Sequence, residues 1–314
     1  TLLCKTIKSD TVKRYVRAAA AQVQKRREAY VRIHPQVTLS WFYPLRAHGD
    51  IQWASPVQDC LKEIHRWENM KDRREPLTID MIHFQSRQCL PSTPHSLDQA
   101  LYDWEVCGIY AGFRLSEWAQ DNHVRHLGQV KLAIDGEPTA FLIGDLEFYK
   151  ENRRHMSRSE ALCRPWLVRS IDVQWRYQKN GNKKEKKTFV RVGRSGPHLK
   201  THTLCSVSAW LRIVQRWADL KLSLLHPLAV FTDTGLASGK LDFIRPSHIN
   251  NALRCAATAV YNITDPQALR RFSSHSIRVG ACVALHAAGV QQQDIKFALR
   301  WKSDSFYAYL RNLP

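Results

Sequence analysis

The chain has 314 residues, 44% of them hydrophobic and ten of them tryptophan, enough apolar material to bury one large core or two smaller ones. Forty-seven Lys and Arg against 28 Asp and Glu give a formal net charge of +19 and a pI near 9.8, which points to a polyanionic partner, with nucleic acid foremost. No apolar run is long enough to span a bilayer and no leader resembles a secretory signal, so a soluble intracellular protein is expected, its eight scattered cysteines reduced.

Residues 1 to 74 carry 15 basic and 7 acidic side chains, a net +8, which leaves +11 for the remainder; both parts are able to meet a phosphate backbone. After Ser9 and Asp10, each a candidate N-cap, the apolar residues Val12, Tyr15, Val16, Ala19, Ala20 and Val23 recur with helical spacing. Lys13, Arg14 and Arg17 fall on the other faces and are candidate DNA contacts, although such a run is as readily a solvated helix face. A second helix is expected from Pro56 to about Asn69, with Cys60, Ile64 and Trp67 on one side. The charged stretch ending at Pro76 marks a domain boundary: residues 1–74 form a helical domain and residues 75–314 a second, mixed one.

Beyond the boundary, Ser96 to about Gln120 reads as helix interrupted near Gly112, and Ile134 to Tyr149 reads as a hairpin turning at Asp135 and Gly136. A second hairpin joins Ser170–Tyr177 to Thr188–Val192 across a polar turn, Gln178 to Lys187, that holds Lys179, Lys183, Lys184, Lys186 and Lys187. From Thr203 onward the pattern is mostly helical, with short final helices at Ala281–Ala288, Gln291–Leu299 and Ser303–Leu310. The fold class expected is mainly α with small β hairpins, an α+β chain of two domains.

Chemistry-bearing residues cluster in three places. His275 and Arg278 form H-x-x-R, followed by Trp301 and then Tyr309; Arg114 and Glu117 form R-x-x-E far upstream; Lys179 stands on the hairpin between. Each motif alone is unspecific, and H-x-x-R is by itself usually a surface pair. The ordered set resembles the catalytic box of the tyrosine recombinase, or phage integrase, family from about Pro76 to the end. The wording His275-Ser276-Ile277-Arg278-Val279-Gly280 and Arg300-Trp301-Lys302-Ser303-Asp304 is most similar to recombinases of DIRS-like and Crypton-like eukaryotic mobile elements.

The resemblance implies a C-shaped two-domain clamp, in which residues 1–74 are the core-binding domain. It also implies a DNA recombinase that works through a 3′-phosphotyrosine, without metal, ATP or cofactor, on double-stranded DNA as a homotetramer across two duplexes. The location implied is the nucleus for a eukaryotic mobile element and the nucleoid-associated cytoplasm otherwise. In that reading Tyr309 is the nucleophile, preferred over Tyr307; Arg114 and Arg278 bind the phosphate; His275 relays a proton; Trp301 packs; Lys179 is the general acid; and Glu117 buttresses Arg114. Lys183 and Lys184 join Lys13, Arg14 and Arg17 as candidate DNA contacts. Chemistry agrees with these roles. A guanidinium stays charged and grips two anionic oxygens in a planar fork, and a phenol of ordinary pKa about 10 needs a base or a cationic pocket to become a nucleophile.

The alternatives are a type IB topoisomerase-like enzyme and a domesticated DNA-binding protein that no longer cuts. Two rival sites compete with this one. His198, His202 and Cys205 have zinc-like spacing without an obvious fourth ligand, and Asp135, Glu137, Asp145 and Glu147 suggest a nuclease-like carboxylate cluster. Surface histidines and solvated hairpin acids are the simpler readings of both.

Overall fold

A computed structural model describes residues 74–133, 136–176, 185–193, 196, 202–301 and 310, together with Arg14, Tyr15, Ala18, Ala21, Lys25, Arg32 and Ile33. The chain divides into two units, Thr1–Asp72 and Arg73–Pro314. In the first, the seven described residues are all helical and exposed. Tyr15, assigned by its spacing to an apolar stripe, is 67% exposed, and its amphipathic ring tolerates that position. The helix expected from Pro56 to Asn69 lies outside the described residues.

The second unit is built around one helix. After α1 (Ile79–Gln88), capped by Thr78, comes α2 (Leu97–Ala111), capped by Ser96, whose hydroxyl accepts the Gln99 N–H at 3.3 Å. α2 is buried on nearly every face, as expected of a helix at the centre of a core rather than on its surface. Its carboxylate Asp103 accepts bonds from Arg212 at 2.6 Å and Arg216 at 2.7 Å, both on α5 (Ser206–Asp219), so the two helices are joined by ions as well as by packing. Trp104, Phe113, Trp118, Phe141, Trp175 and Trp210 form one aromatic cluster, with Trp104 stacked 5.0 Å from Trp118 and in edge contact, 5.3 Å, with Trp210. The short α3 (Leu115–Trp118) follows α2 directly.

One sheet has the order β2-β1-β3-β4, all antiparallel: β1 (Leu146–Tyr149), β2 (His155–Met156), β3 (Ser170–Gln174) and β4 (Lys186–Val190), with α4 (Arg158–Cys163) between β2 and β3. Phe148, Ile171 and Phe189 lie side by side in its register and are buried. The hairpin expected over Ile134–Tyr149 is replaced by a single bridge, Leu132 to Pro138, and a 3₁₀ turn; Leu146–Tyr149 becomes an inner strand instead. Its alternation is satisfied by β3 and β2, which come later in the chain. The hairpin between β3 and β4 forms as expected, but its strands are shifted toward the N-terminus, since β3 ends at Gln174 and Lys186 and Lys187 belong to β4.

A second correction concerns the stretch after Thr203, where β5 (Val230–Thr232) and β6 (Leu241–Phe243) form a two-stranded sheet within the expected helical region. The remaining helices are α6 (Pro246–Tyr261), α7 (Pro266–Leu269), α8 (Ser276–Ala287) and α9 (Gln292–Ala298). α8 begins five residues before the expected Ala281, and this earlier start places His275 at its N-cap and Arg278 in its first turn. It packs on α2, and it passes so close to Leu77 that only a glycine fits at Gly280. The expected helix at Ser303–Leu310 lies outside the described residues except for Leu310, which is helical and buried. The structure is thus mainly α with small antiparallel sheets, and no helix among the described residues is long and apolar enough to cross a membrane.

Candidate active site

The last turn of a helix leaves its carbonyl oxygens unpaired and carries the negative end of the helix dipole. At the end of α2 three consecutive carbonyls each take a cation. Tyr110 O accepts from Lys187 Nζ at 2.5 Å, Ala111 O from Arg300 at 3.2 Å and Gly112 O from Arg278 at 2.5 Å. Gly112 ends the helix in the left-handed region, φ 57°, and an added Cβ would lie 2.7 Å from the Leu299 side chain, so both backbone and space demand glycine there.

The end of α9 is held in the same way. Leu299 O accepts a bond from Arg278, and Arg300 O accepts one from Arg114 Nη2 at 3.0 Å. Arg114 and Arg278, 164 residues apart in sequence, therefore grip adjacent carbonyls. Glu117 is the carboxylate bonded into this cluster. It accepts the Arg114 backbone N–H at 2.9 Å and the Arg114 guanidinium at 3.2 Å, as expected of a side chain three residues on, and it also accepts Arg300 Nη2 at 3.0 Å. Trp301 lies against the Arg278 guanidinium, 4.5 Å from its central carbon, and the Arg300 guanidinium lies 4.1 Å over Trp175.

The cluster carries an excess of positive charge. Three guanidiniums and one ammonium meet one bonded carboxylate and two dipole ends, mostly out of water: Arg278 is 3% exposed, Arg300 7% and Glu117 1%. Lys187 is pushed down to about 8, chiefly by burial and then by the Arg300 charge, so its ammonium is readily deprotonated. His275 is lowered from the usual imidazole value by burial first, then by the charges of Arg278 and Arg74, which favours the neutral ring and keeps a proton acceptor beside the cluster. The loop before it is fixed from α6, where Asn250 accepts the Ser274 N–H at 2.8 Å.

Of the residues the sequence singles out, Arg114, Glu117, His275, Arg278 and Trp301 come together here. Lys179, Lys183, Lys184 and Tyr309 lie outside the described residues, as do Lys13 and Arg17, while Arg14 is helical and exposed in the first unit. Leu310 packs with Ala281, Cys282, Ile295 and Leu299, beside Trp301. Sequence reasoning gave Arg300 no role of its own and left Lys187 in the turn as one of several lysines able to act as the acid or to contact phosphate, whereas strand register turns it into the interior. The one sequence signal for Lys187 is its place next to the apolar alternation that begins at Thr188 and Phe189.

The described members of the two rival sites have ordinary partners. Asp145 caps a turn through the Leu142 N–H at 2.7 Å and pairs with Arg176; Glu137 also pairs with Arg176, and Glu147 with Lys186; Asp135 lies outside the described residues. His202 accepts the Leu204 N–H at 3.2 Å, Cys205 accepts the Val192 N–H at 3.4 Å, and His198 lies outside the described residues. Among the described residues no group of three or more His, Cys, Asp or Glu side chains is arranged to hold a metal ion.

Fold and site together define a mainly helical α+β protein with a buried arginine and lysine cluster built at two helix ends. No family model matches the chain, and no curated protein matches it in sequence. Among solved structures it is similar to the Tn1549 transposon integrase in complex with circular intermediate DNA, at 14% identity and a TM-score of 0.44, over 97% of this chain and 76% of that one.

Proposed function

We propose that the chain is a tyrosine recombinase, a DNA strand transferase that cuts and rejoins duplex DNA through a 3′-phosphotyrosine. The observation that carries this reading is the convergence of Arg114 and Arg278 on adjacent carbonyls, with Trp301 against Arg278 and His275 at the start of the same helix. A scissile phosphate gains charge on its non-bridging oxygens as it becomes pentavalent, and preorganised guanidiniums stabilise that charge without having to reorganise. Support also comes from Leu310, the next residue after Tyr309, which is anchored in the cluster that includes Leu299.

In this reaction the Tyr309 phenol passes its proton to His275, whose neutral ring is suited to accept it. The phenolate oxygen then bonds to phosphorus, the bond from phosphorus to the 5′-oxygen breaks, and that oxygen takes a proton from a lysine of the β3–β4 hairpin. Lys179 is the proposed donor. Because the ester linkage is conserved, a partner strand's 5′-hydroxyl reverses the step, so neither metal nor ATP takes part. Trp301 keeps Arg278 in place by covering its guanidinium. The proposal extends to a homotetramer on two duplexes, to a clamp completed by residues 1–74, and to a place among the DIRS-like and Crypton-like recombinases with a nuclear location.

The test incubates the protein with a random-sequence duplex library, denatures it in detergent and recovers the DNA that stays attached. Wild-type protein yields a covalent adduct on Tyr309 that survives EDTA, and Tyr309→Phe binds DNA without forming one. An adduct on Tyr307 moves the nucleophile; loss of cleavage in EDTA, or no adduct on any duplex, overturns the reading. Relaxation of supercoiled DNA without joining of two separate duplexes assigns the same chemistry to a type IB topoisomerase-like activity.

A further inference from the structure

α9 closes with two bonds, from the Arg300 N–H to Phe297 O at 3.0 Å and from the Trp301 N–H to Lys296 O at 2.9 Å. This is a Schellman closure, and the residue at its left-handed position is usually glycine. Here it is arginine, at φ 56°. A bulky residue persists in that backbone region only where its surroundings hold it there.

The side chain explains why arginine is kept. Its Nη2 bonds Glu117, Glu117 bonds the Arg114 guanidinium, and Arg114 bonds the Arg300 carbonyl, which closes a ring of three residues. Its Nη1 takes Ala111 O and its flat face lies on Trp175, which ties the ring to the end of α2 and to the aromatic core. We propose that Arg300 is a positioning residue that locks the phosphate-binding Arg114 and the Trp301 loop into one rigid unit through Glu117.

The inference rests on the recombinase reading for its catalytic consequence but not for its structural one, so two readouts are taken. Arg300→Gly suits the left-handed backbone and so preserves the helix end, while Arg300→Lys retains charge but loses the fork. On the duplex recovered from covalent trapping, Arg300→Gly binds DNA within about threefold of wild type yet forms adduct on the order of 100-fold more slowly. Arg300→Lys restores part of the rate. Hydrogen exchange of the Arg114 and Trp301 amides rises about tenfold in Arg300→Gly, while that of α5 stays unchanged. An adduct rate within twofold of wild type overturns the catalytic part, and unchanged exchange at Arg114 and Trp301 overturns the positioning itself. If wild-type protein traps no DNA, the recombinase reading falls and the exchange result alone decides the positioning.

Discussion

Two buried ionisable side chains, Glu105 and Lys187, tilt the protein's stability with pH in opposite directions. Glu105, inside α2, has neither carboxylate oxygen hydrogen-bonded, and burial pushes it up to about 8. Its folded value lies above its unfolded one, so its contribution is fully present below about pH 4.5 and is lost as pH rises to about 8, by roughly 5 kcal/mol at most. Lys187 is pushed down to about 8 from 10.5, so its penalty is full below about 8 and is relieved as pH rises to 10.5, by roughly 3 kcal/mol at most. The two slopes oppose each other and meet near pH 8. In urea unfolding, Glu105→Gln is expected to lose less stability than wild type as pH rises from about 4.5 to about 8, and Lys187→Met to gain less than wild type as pH rises from about 8 to 10.5. A Glu105→Gln profile parallel to wild type between pH 5 and 8 would show that Glu105 is not the buried neutral acid described.

Among the elements, the end of α2 bears the greatest demands. Gly112 supplies a left-handed cap, a close approach to Leu299 and the carbonyl that takes Arg278. Gly112→Ala is expected to destabilise the protein by about 1–3 kcal/mol, from backbone strain together with displacement of Leu299, and to lower adduct formation through Arg278. A change in unfolding free energy under about 0.5 kcal/mol would contradict that account. These cases show what a sequence displays. Apolar spacing revealed α2, its break near Gly112 and the β3–β4 hairpin, because each is a long local pattern. It hid β5 and β6, which are three residues long and pair only with each other, and it misassigned β1, whose partners come later in the chain. Arg114, Glu117, His275, Arg278 and Trp301 were legible as an ordered set. Arg300 was not, because an arginine in a left-handed cap is defined by φ and by three distant partners, none of which leaves a local trace.

At the scale of the whole molecule, the charge belongs to both parts of the chain, +8 over residues 1 to 74 and +11 over the rest, while the buried cluster uses only four of the 47 cations. The other cations lie outside that cluster, and contacts between cations and backbone phosphate release counterions. The logarithm of affinity should therefore fall with the logarithm of salt concentration at a slope of about −0.9 per phosphate neutralised, or about −5 to −9 for six to ten contacts. Arg14 is exposed in the first unit, and Lys13 and Arg17 flank it in sequence. Replacing all three with alanine should make the slope shallower by about 2 to 3 and weaken binding to every sequence alike, since phosphate contacts position a protein without reading bases. At saturating DNA the adduct rate should stay unchanged, because the arginine cluster lies entirely in the second unit. A wild-type slope shallower than about −3, measured by titration between 50 and 300 mM salt, would mean that the positive charge serves a partner other than duplex DNA.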